Sequence, residues 1–152
     1  MEPRMNVAEA APALYAAVRA LDGAVMKSGL EKRLLHLVKL RASQINGCAY
    51  CIDMHVKESL ADGIPAQHLH MLTAWRESPL YSARDRAALD WIESVTLIAQ
   101  TGIPDSAYAA VTAEFSPEEI AKLTIAIGTI NVWNRIAVSS RMLHPVDQAA
   151  AA

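Results

Sequence analysis

The sequence contains few cysteines, few aromatic residues and no block of charge of one sign. Its 152 residues include two cysteines, one phenylalanine and 5% aromatic residues in all. Two cysteines are too few for a multi-bridge disulfide scaffold or for a four-cysteine zinc site. The net charge is −2 at neutral pH and Lys and Arg are not clustered. The chain therefore lacks the basic surface that binding to nucleic acid requires.

Long hydrophobic runs are absent as well. No apolar stretch approaches the roughly 20 residues that a membrane-spanning helix needs. Charged residues interrupt the N-terminal region at short intervals and break up any signal-peptide core; they are Glu2, Arg4, Glu9, Arg19 and Asp22. We therefore predict a cytoplasmic protein without membrane attachment. In that reducing compartment, closely spaced cysteines are more often catalytic or metal-binding than structural.

Ala, Leu, Ile and Val are abundant and recur with helical rather than alternating spacing. Hydrophobic residues make up 53% of the chain, and a surplus of this kind is often buried between the subunits of a homo-oligomer. No segment has the two-residue alternation of a strand. We predict an all-α fold with a single domain over residues 1–145 and a frayed tail over residues 146–152. The predicted helices span about residues 8–27, 31–46, 48–62, 65–76, 83–101, 105–114 and 117–142.

The last predicted helix has a strong start signal and the most apolar interior. It begins after Ser116, a good N-cap residue. Residues 123–138 are apolar nearly all round, which predicts the most buried helix of the fold. Within this stretch Asn131, Asn134 and Arg135 share one face. Either they line a functional pocket or, as we favour, they form a hydrogen-bonded contact that fixes the register between helices or subunits.

Both cysteines and a histidine lie in one short segment, at Cys48, Cys51 and His55. The Asn46-Gly47 step should end one helix, so that Cys48 falls in the first turn of the next. At helical spacing the two thiols and the imidazole share a face, and residues three apart are close enough for a disulfide. The helix start favours the thiolate at Cys48, and His55 can take or relay the proton of Cys51.

Several interpretations of this segment fit its spacing. The one we favour is redox chemistry, in which one thiolate attacks an oxidant and the other resolves the product as a disulfide. A zinc half-site is the second, although only three soft ligands are present and no second cysteine pair completes a tetrahedron. A pair of inert buried thiols is the third. A structural disulfide would close too small a loop to constrain the unfolded chain.

The cysteine segment belongs to a longer motif. Residues 37–55, LVKLRASQINGCAYCIDMH, closely resemble the core of the AhpD-like alkylhydroperoxidases in the carboxymuconolactone decarboxylase superfamily, and residues 81–89 and 130–137 look like the same subfamily. The resemblance implies an all-helical fold around a central antiparallel helix pair, assembled as trimers or hexamers. It also implies thiol-dependent peroxidase or disulfide oxidoreductase activity, in which Cys51 attacks the peroxide and Cys48 resolves the product.

The sequence departs from the family motif at His36. The motif carries a glutamate twelve residues before the first cysteine, and this chain has a histidine there. A helix hairpin centred near Asn46 places residue 36 opposite about residue 56, so its side chain should approach His55. A second imidazole does not supply the charge of a carboxylate. Either His36 passes protons itself, or another carboxylate takes the role, or peroxidase turnover is weak.

Glu93 is the carboxylate that we consider for this role. It stands in the otherwise apolar context of residues 91–95, where a functional glutamate is one explanation and a salt-bridged or surface glutamate is the commoner one. Glu31 and Glu58 are expected to be solvated. The candidate catalytic residues are therefore Cys51, Cys48, His55, His36 and Glu93.

The function predicted from these features is that of an enzyme. It reduces an organic peroxide or hydrogen peroxide through Cys51, forms a disulfide with Cys48 and is re-reduced by an external dithiol or thiol protein. No nucleotide or flavin motif is present, so we expect no cofactor and a partner that supplies electrons. The alternatives are a non-enzymatic redox-responsive helical oligomer and a general disulfide oxidoreductase with weak peroxidase activity. Lactone decarboxylation is disfavoured, because that branch of the superfamily does not rely on a cysteine pair.

Overall fold

The structure is all-helical, as the sequence predicts. This computed structural model describes residues 1–146, and helices are the only regular elements among them. The predicted frayed tail lies outside the described residues from residue 147 onward. None of the helices within residues 1–146 is long and apolar enough to cross a membrane. The helices are α1 (Val7–Ala10), α2 (Pro12–Met26), α3 (Lys32–Ile45), α4 (Ala49–Ala61), α5 (Ala66–His70) with a 3-10 turn after it (Met71–Ala74), α6 (Ala83–Thr96), α7 (Ile98–Thr101), α8 (Asp105–Glu114) and α9 (Pro117–Ser140).

Three of the predicted helices are interrupted. The first is divided at Ala11, whose φ of −140° and ψ of 62° are not helical. The α region is disfavoured for a residue that precedes a proline, and Pro12 begins α2. The helix predicted over residues 65–76 continues beyond α5 only as the 3-10 turn. The helix predicted over residues 83–101 is divided at Leu97 into α6 and α7. The sequence has no glycine or proline at this point to indicate the break.

Capping boxes set the starts of α6 and α9. The Ser116 hydroxyl accepts the backbone N–H of Glu119 at 3.3 Å, and the Glu119 carboxylate accepts the backbone N–H of Ser116 at 2.8 Å. Ser82 and Asp85 form the same reciprocal pair at 3.1 and 3.0 Å. Each box satisfies two of the backbone donors that a helix start leaves free. These two helix starts are therefore determined by residues close together in the chain.

Helix α3 occupies the centre of the fold. It packs against α4, α6 and α9, and residues 34–40 are buried without a break. The prediction that the last helix is the most buried is wrong, because neighbours cover only part of the circumference of α9 and leave Ile125, Val132 and Val138 exposed. The largest fully buried apolar side chains are Leu35, Leu37, Leu40, Leu72, Leu89, Ile92, Leu123, Ile127 and Ile130.

Helices α3 and α4 form an antiparallel hairpin. Lys32 and His36 near the start of α3 contact Asp62, the residue that ends α4. Lys32 Nζ lies 2.7 Å from one carboxylate oxygen of Asp62, and His36 Nε2 lies 2.6 Å from the other. The turn between the helices spans residues 46–48. The antiparallel helix pair that the resemblance implies is therefore present, and it carries the cysteine segment.

Candidate active site

The turn between α3 and α4 determines where Cys48 lies. Gly47 has a φ of +63°, a left-handed conformation that glycine adopts without strain. The Cys48 N–H then donates to the Ser43 carbonyl at 3.0 Å, and the Gly47 N–H donates to the Gln44 carbonyl at 3.2 Å, which closes α3 as a Schellman motif. Cys48 is also the N-cap of α4. The predicted helix end at Asn46-Gly47 is confirmed, and Cys48 stands one position before the first turn.

The two cysteines are free thiols in direct contact. The Cys51 backbone N–H donates to Cys48 Sγ at 3.4 Å, and the two side chains are almost fully buried. The hydrogen bond from the Cys51 thiol lowers the pKa of Cys48 to about 7, against the opposing effect of burial. The same hydrogen bond, together with burial, raises the pKa of Cys51. Cys48 is therefore the more acidic thiol of the pair and is about half ionised at neutral pH, while Cys51 keeps its proton.

The acidity of Cys48 leads to a first prediction. The ultraviolet absorbance of the thiolate in the reduced protein should rise with pH around a midpoint of about 7, because Cys48 loses its proton there. Cys51→Ala removes the strongest hydrogen bond to that thiolate, so the midpoint should move up toward the ordinary thiol pKa of about 8.5. Cys48→Ser should lose the transition near pH 7. If the transition survives in Cys48→Ser, the acidic thiol is Cys51.

His55, one turn beyond Cys51, is held by a carboxylate on its own helix. The Nδ1 atom of this buried imidazole lies 3.0 Å from Oε2 of Glu58. The hydrogen bond to His55 lowers the pKa of Glu58 and outweighs its partial burial, so Glu58 is ionised at neutral pH. A carboxylate acceptor at Nδ1 favours the tautomer with its proton on Nδ1. The buried Nε2 is then an acceptor, and it has no hydrogen-bond partner among the described residues.

Cys51 and His55 line a cavity of about 490 Å³. Its walls come from α2, α3, α4 and α9, and Glu58 lies at its surface too. Of the five residues predicted for the site, two therefore share this space, and Cys48 adjoins it through its contact with Cys51. His36 and Glu93 are not part of its described lining.

The hydrogen-bond partner of His36 is Asp62, at the end of α4. Its Nε2 bonds to the Asp62 carboxylate, and the carboxylate on the His55 ring belongs to Glu58. His36 therefore pairs with the C-cap residue of α4, one turn beyond Glu58. Glu58, expected to be solvated, is only about half exposed. The i, i+3 spacing of His55 and Glu58 on one helix face is the signal that could have revealed this pair.

Glu93 lies in an ion-pair cluster. Its Oε1 accepts hydrogen bonds from the Arg41 guanidinium at 2.7 and 2.9 Å and from Trp75 Nε1 at 2.8 Å, and its Oε2 accepts one from Arg76. Burial raises the pKa of Glu93, but the hydrogen bonds from these three side chains outweigh it and hold the pKa below its usual range. These contacts support the salt-bridge explanation of Glu93, which the sequence analysis considered the commoner one, over a role in the proton relay.

Asn134 connects the thiols to α9. Its side chain is fully buried, and its hydrogen bonds to both thiols lower their pKa values. Two neighbours orient its amide: Nδ2 donates to Ser43 Oγ at 3.0 Å, and Oδ1 accepts from Asn46 Nδ2 at 2.8 Å. Asn46 also donates to Asn131 at 3.0 Å. The polar face of α9 thus fixes helix register, as we favoured, and also contacts the cysteine pair.

The metal-binding interpretation requires a cluster of ligand side chains. No group of three or more His, Cys, Asp and Glu side chains within residues 1–146 is arranged to hold a metal ion. Cys48, Cys51 and His55 therefore do not form a three-ligand group in the arrangement that the structure gives them.

The sequence match to known proteins covers the same segment. Residues 12–94 match the model of the carboxymuconolactone decarboxylase family, a stretch that includes both cysteines and more than half of the chain. The chain belongs to this family. A relative, the uncharacterised protein YdfG of Bacillus subtilis (strain 168), is 34% identical over 139 residues, which cover 91% of this chain and 95% of the relative.

Solved structures of similar fold support the family assignment. ATU0492 from Agrobacterium tumefaciens, a protein of unknown function proposed to be an antioxidant defence protein AhpD, is 55% identical, with a TM-score of 0.94 over 96% of this chain and 100% of that chain. The debrominase Bmp8 is 15% identical, with a TM-score of 0.79 over 92% of this chain and 74% of that chain, and at this identity it shows the fold alone. The predicted AhpD-like fold is confirmed, and family membership supports enzymatic activity in general.

Proposed function

We propose that the protein is a thiol-dependent peroxidase of the alkylhydroperoxidase type. The observation that carries the proposal is that Cys51 and His55 line one cavity while Cys48 is in hydrogen-bond contact with Cys51. A thiol nucleophile, a base with an open acceptor nitrogen and a second thiol are the groups that a dithiol peroxidase requires. The similarity to a protein proposed for antioxidant defence agrees with this function.

The reaction balances with these groups. The Cys51 thiolate attacks the terminal oxygen of a hydroperoxide, an S–O bond forms and the O–O bond breaks. The alkoxide leaves with a proton from His55 as the alcohol, and Cys51 becomes a sulfenic acid. The Cys48 thiolate then attacks the sulfenic sulfur, forms the disulfide and releases hydroxide, which takes a proton to become water. An external dithiol restores both thiols by exchange and is itself oxidised.

The unequal acidity of the thiols fits this order of events. Cys51 keeps its proton at rest and passes it to the open Nε2 of His55 when a peroxide occupies the cavity. Cys48, with a pKa of about 7, is available as a thiolate to resolve the sulfenic acid. When an external thiolate later attacks the disulfide at Cys51, Cys48 is also the better leaving group, because a thiol of lower pKa leaves faster.

Sustained turnover tests the proposal. One equivalent of cumene hydroperoxide should remove both free thiols of the reduced chain and yield one equivalent of cumyl alcohol. Excess dithiothreitol should then support many turnovers, and a variant with both cysteines replaced by serine should consume no peroxide. Loss of thiols without sustained consumption would point to the redox-responsive oligomer. Exchange with other disulfides in the absence of peroxide consumption would point to a general disulfide oxidoreductase.

The partner and the assembly are part of the same proposal. The electrons come from an external dithiol or thiol protein, so the reaction needs no bound cofactor. Association with further copies is supported by the apolar side chains on α9, since Ile125, Val132 and Val138 are 52%, 39% and 48% exposed and surfaces of this kind often mark subunit contacts. The trimer or hexamer and the cytoplasmic location stay predictions.

A further inference from the structure

The cavity beside Cys51 is far larger than a peroxide group needs. Its volume of about 490 Å³ lies in the range of about 300–1,000 Å³ typical of pockets for drug-sized ligands, whereas one water occupies about 30 Å³. Most of a substrate that fills this space contacts the walls rather than the thiol and the imidazole. The walls therefore select the substrate by the part of it that does not react.

One part of the wall is aromatic and contains thioethers. Tyr15 of α2 and Trp133 of α9 meet edge to face, with ring centroids 5.2 Å apart. Met54 of α4 and Met142 beyond α9 also line the space. Aromatic rings and methionine sulfur pack favourably against the ring of a ligand. This part of the wall fits an aryl group.

The charged side chains of the cavity are paired, with one exception among the described residues. Asp22 lies 2.7 Å from the buried Lys39, and Glu58 pairs with His55. Arg19 lines the same space from α2, is exposed, and has no ion pair or hydrogen bond within residues 1–146. A guanidinium presents a planar set of donors that matches a carboxylate in a bidentate contact. The cavity therefore has one cation available for an anionic ligand.

We propose that the site takes aromatic hydroperoxides that carry a carboxylate, with Arg19 binding the carboxylate. This inference rests on the proposed peroxidase function. Arg19 belongs to the wall formed by α2, and Cys51 and His55 belong to the wall formed by α4. A substrate held by its carboxylate at Arg19 presents its hydroperoxide end to the thiol. The O–O bond breaks and Cys51 sulfur is oxidised as described above, and the carboxylate is unchanged.

A matched pair of substrates tests the inference: cumene hydroperoxide and the same molecule with a carboxylate in the para position. The wild type should show a roughly tenfold higher kcat/KM for the carboxylated peroxide, mainly through KM. In Arg19→Gln the ratio of the two kcat/KM values should fall to about 1. The control Lys27→Gln removes a positive charge at the end of the same helix, outside the cavity, and should keep the wild-type ratio. Equal values in the wild type, or a preference that survives Arg19→Gln, would overturn the inference.

Binding of the reaction product separates this inference from the peroxidase function. The para-carboxylated cumyl alcohol, titrated into reduced protein in a calorimeter, should bind the wild type and bind Arg19→Gln roughly tenfold more weakly. Gly23 lines the cavity, and a Cβ added there would have no atom within 4 Å. Gly23→Leu should therefore fold, fill part of the cavity and weaken the same binding. If the alcohol binds the wild type and binds both variants more weakly, while neither peroxide is turned over, the peroxidase proposal fails and the assignment of Arg19 as the carboxylate-binding residue stands. If both peroxides are turned over without this pattern of binding, only the assignment of Arg19 fails.

Discussion

Replacing Cys51 by serine is expected to lower peroxide turnover by at least about 10³-fold, because a serine hydroxyl is a far weaker nucleophile than a thiolate. Cys51 is the cysteine that lines the cavity, and His55, whose buried Nε2 has no hydrogen-bond partner among the described residues, lines it too. The measurement is the initial rate of cumene hydroperoxide loss with dithiothreitol in excess. Serine is nearly isosteric with cysteine, so the midpoint of thermal unfolding should stay close to that of the wild type.

Cys48→Ser is the matched control for this loss, because it removes the other thiol of the same pair. It should still reduce one equivalent of peroxide in a single turnover and stop with a sulfenic acid on Cys51, since no thiol remains to resolve it. Trapping with dimedone followed by peptide mass spectrometry locates the modified residue. A sulfenic acid on Cys48 in the Cys51→Ser variant, with none on Cys51 in the Cys48→Ser variant, would reverse the two roles.

Glu58→Gln is expected to lower kcat for cumene hydroperoxide by roughly 10–100-fold, less than the roughly 10²–10⁴-fold that a general acid or base itself contributes, because Glu58 acts through His55. The carboxylate at Nδ1 of His55 orients the ring and stabilises the positive charge that forms when Nε2 takes a proton. A glutamine supplies no such charge. The pKa of Glu58 is below its usual range, so its carboxylate is ionised at every pH above that lowered pKa. The difference in kcat between the wild type and Glu58→Gln should therefore disappear only when the pH falls through the lowered pKa of Glu58.

Two further variants show whether the loss of kcat comes from removing the carboxylate beside His55. Glu77→Gln changes an exposed glutamate outside the cavity and should leave kcat unchanged. Glu58→Asp keeps the carboxylate on a side chain one methylene shorter and should retain more of the wild-type kcat than Glu58→Gln does. A Glu58→Gln variant with the kcat of the wild type would mean that His55 works without a carboxylate partner.

The grouping of the two cysteines and the histidine was predictable from the sequence because these residues are close together in the chain. Cys48, Cys51 and His55 lie on one helix and its cap, and a turn at Gly47 follows from the left-handed conformation that glycine permits. The register of α4 against α3 was less predictable. His36 bonds to Asp62 across the hairpin, and this contact depends on how α4 lies along α3, whereas the pair of His55 and Glu58 forms within α4 alone.

The sequence by itself determined the helical class, the capping boxes, the break between α3 and α4 and the motif of the family, because these depend on backbone preferences and hydrogen bonds between near neighbours. Only the tertiary structure decided that Glu93 joins Arg41, that Asn134 reaches the thiols and that Arg19 shares a cavity with Cys51. Each of these contacts joins residues far apart in the chain. Their formation depends on how whole helices pack, since side-chain burial and helix register are properties of the assembled core.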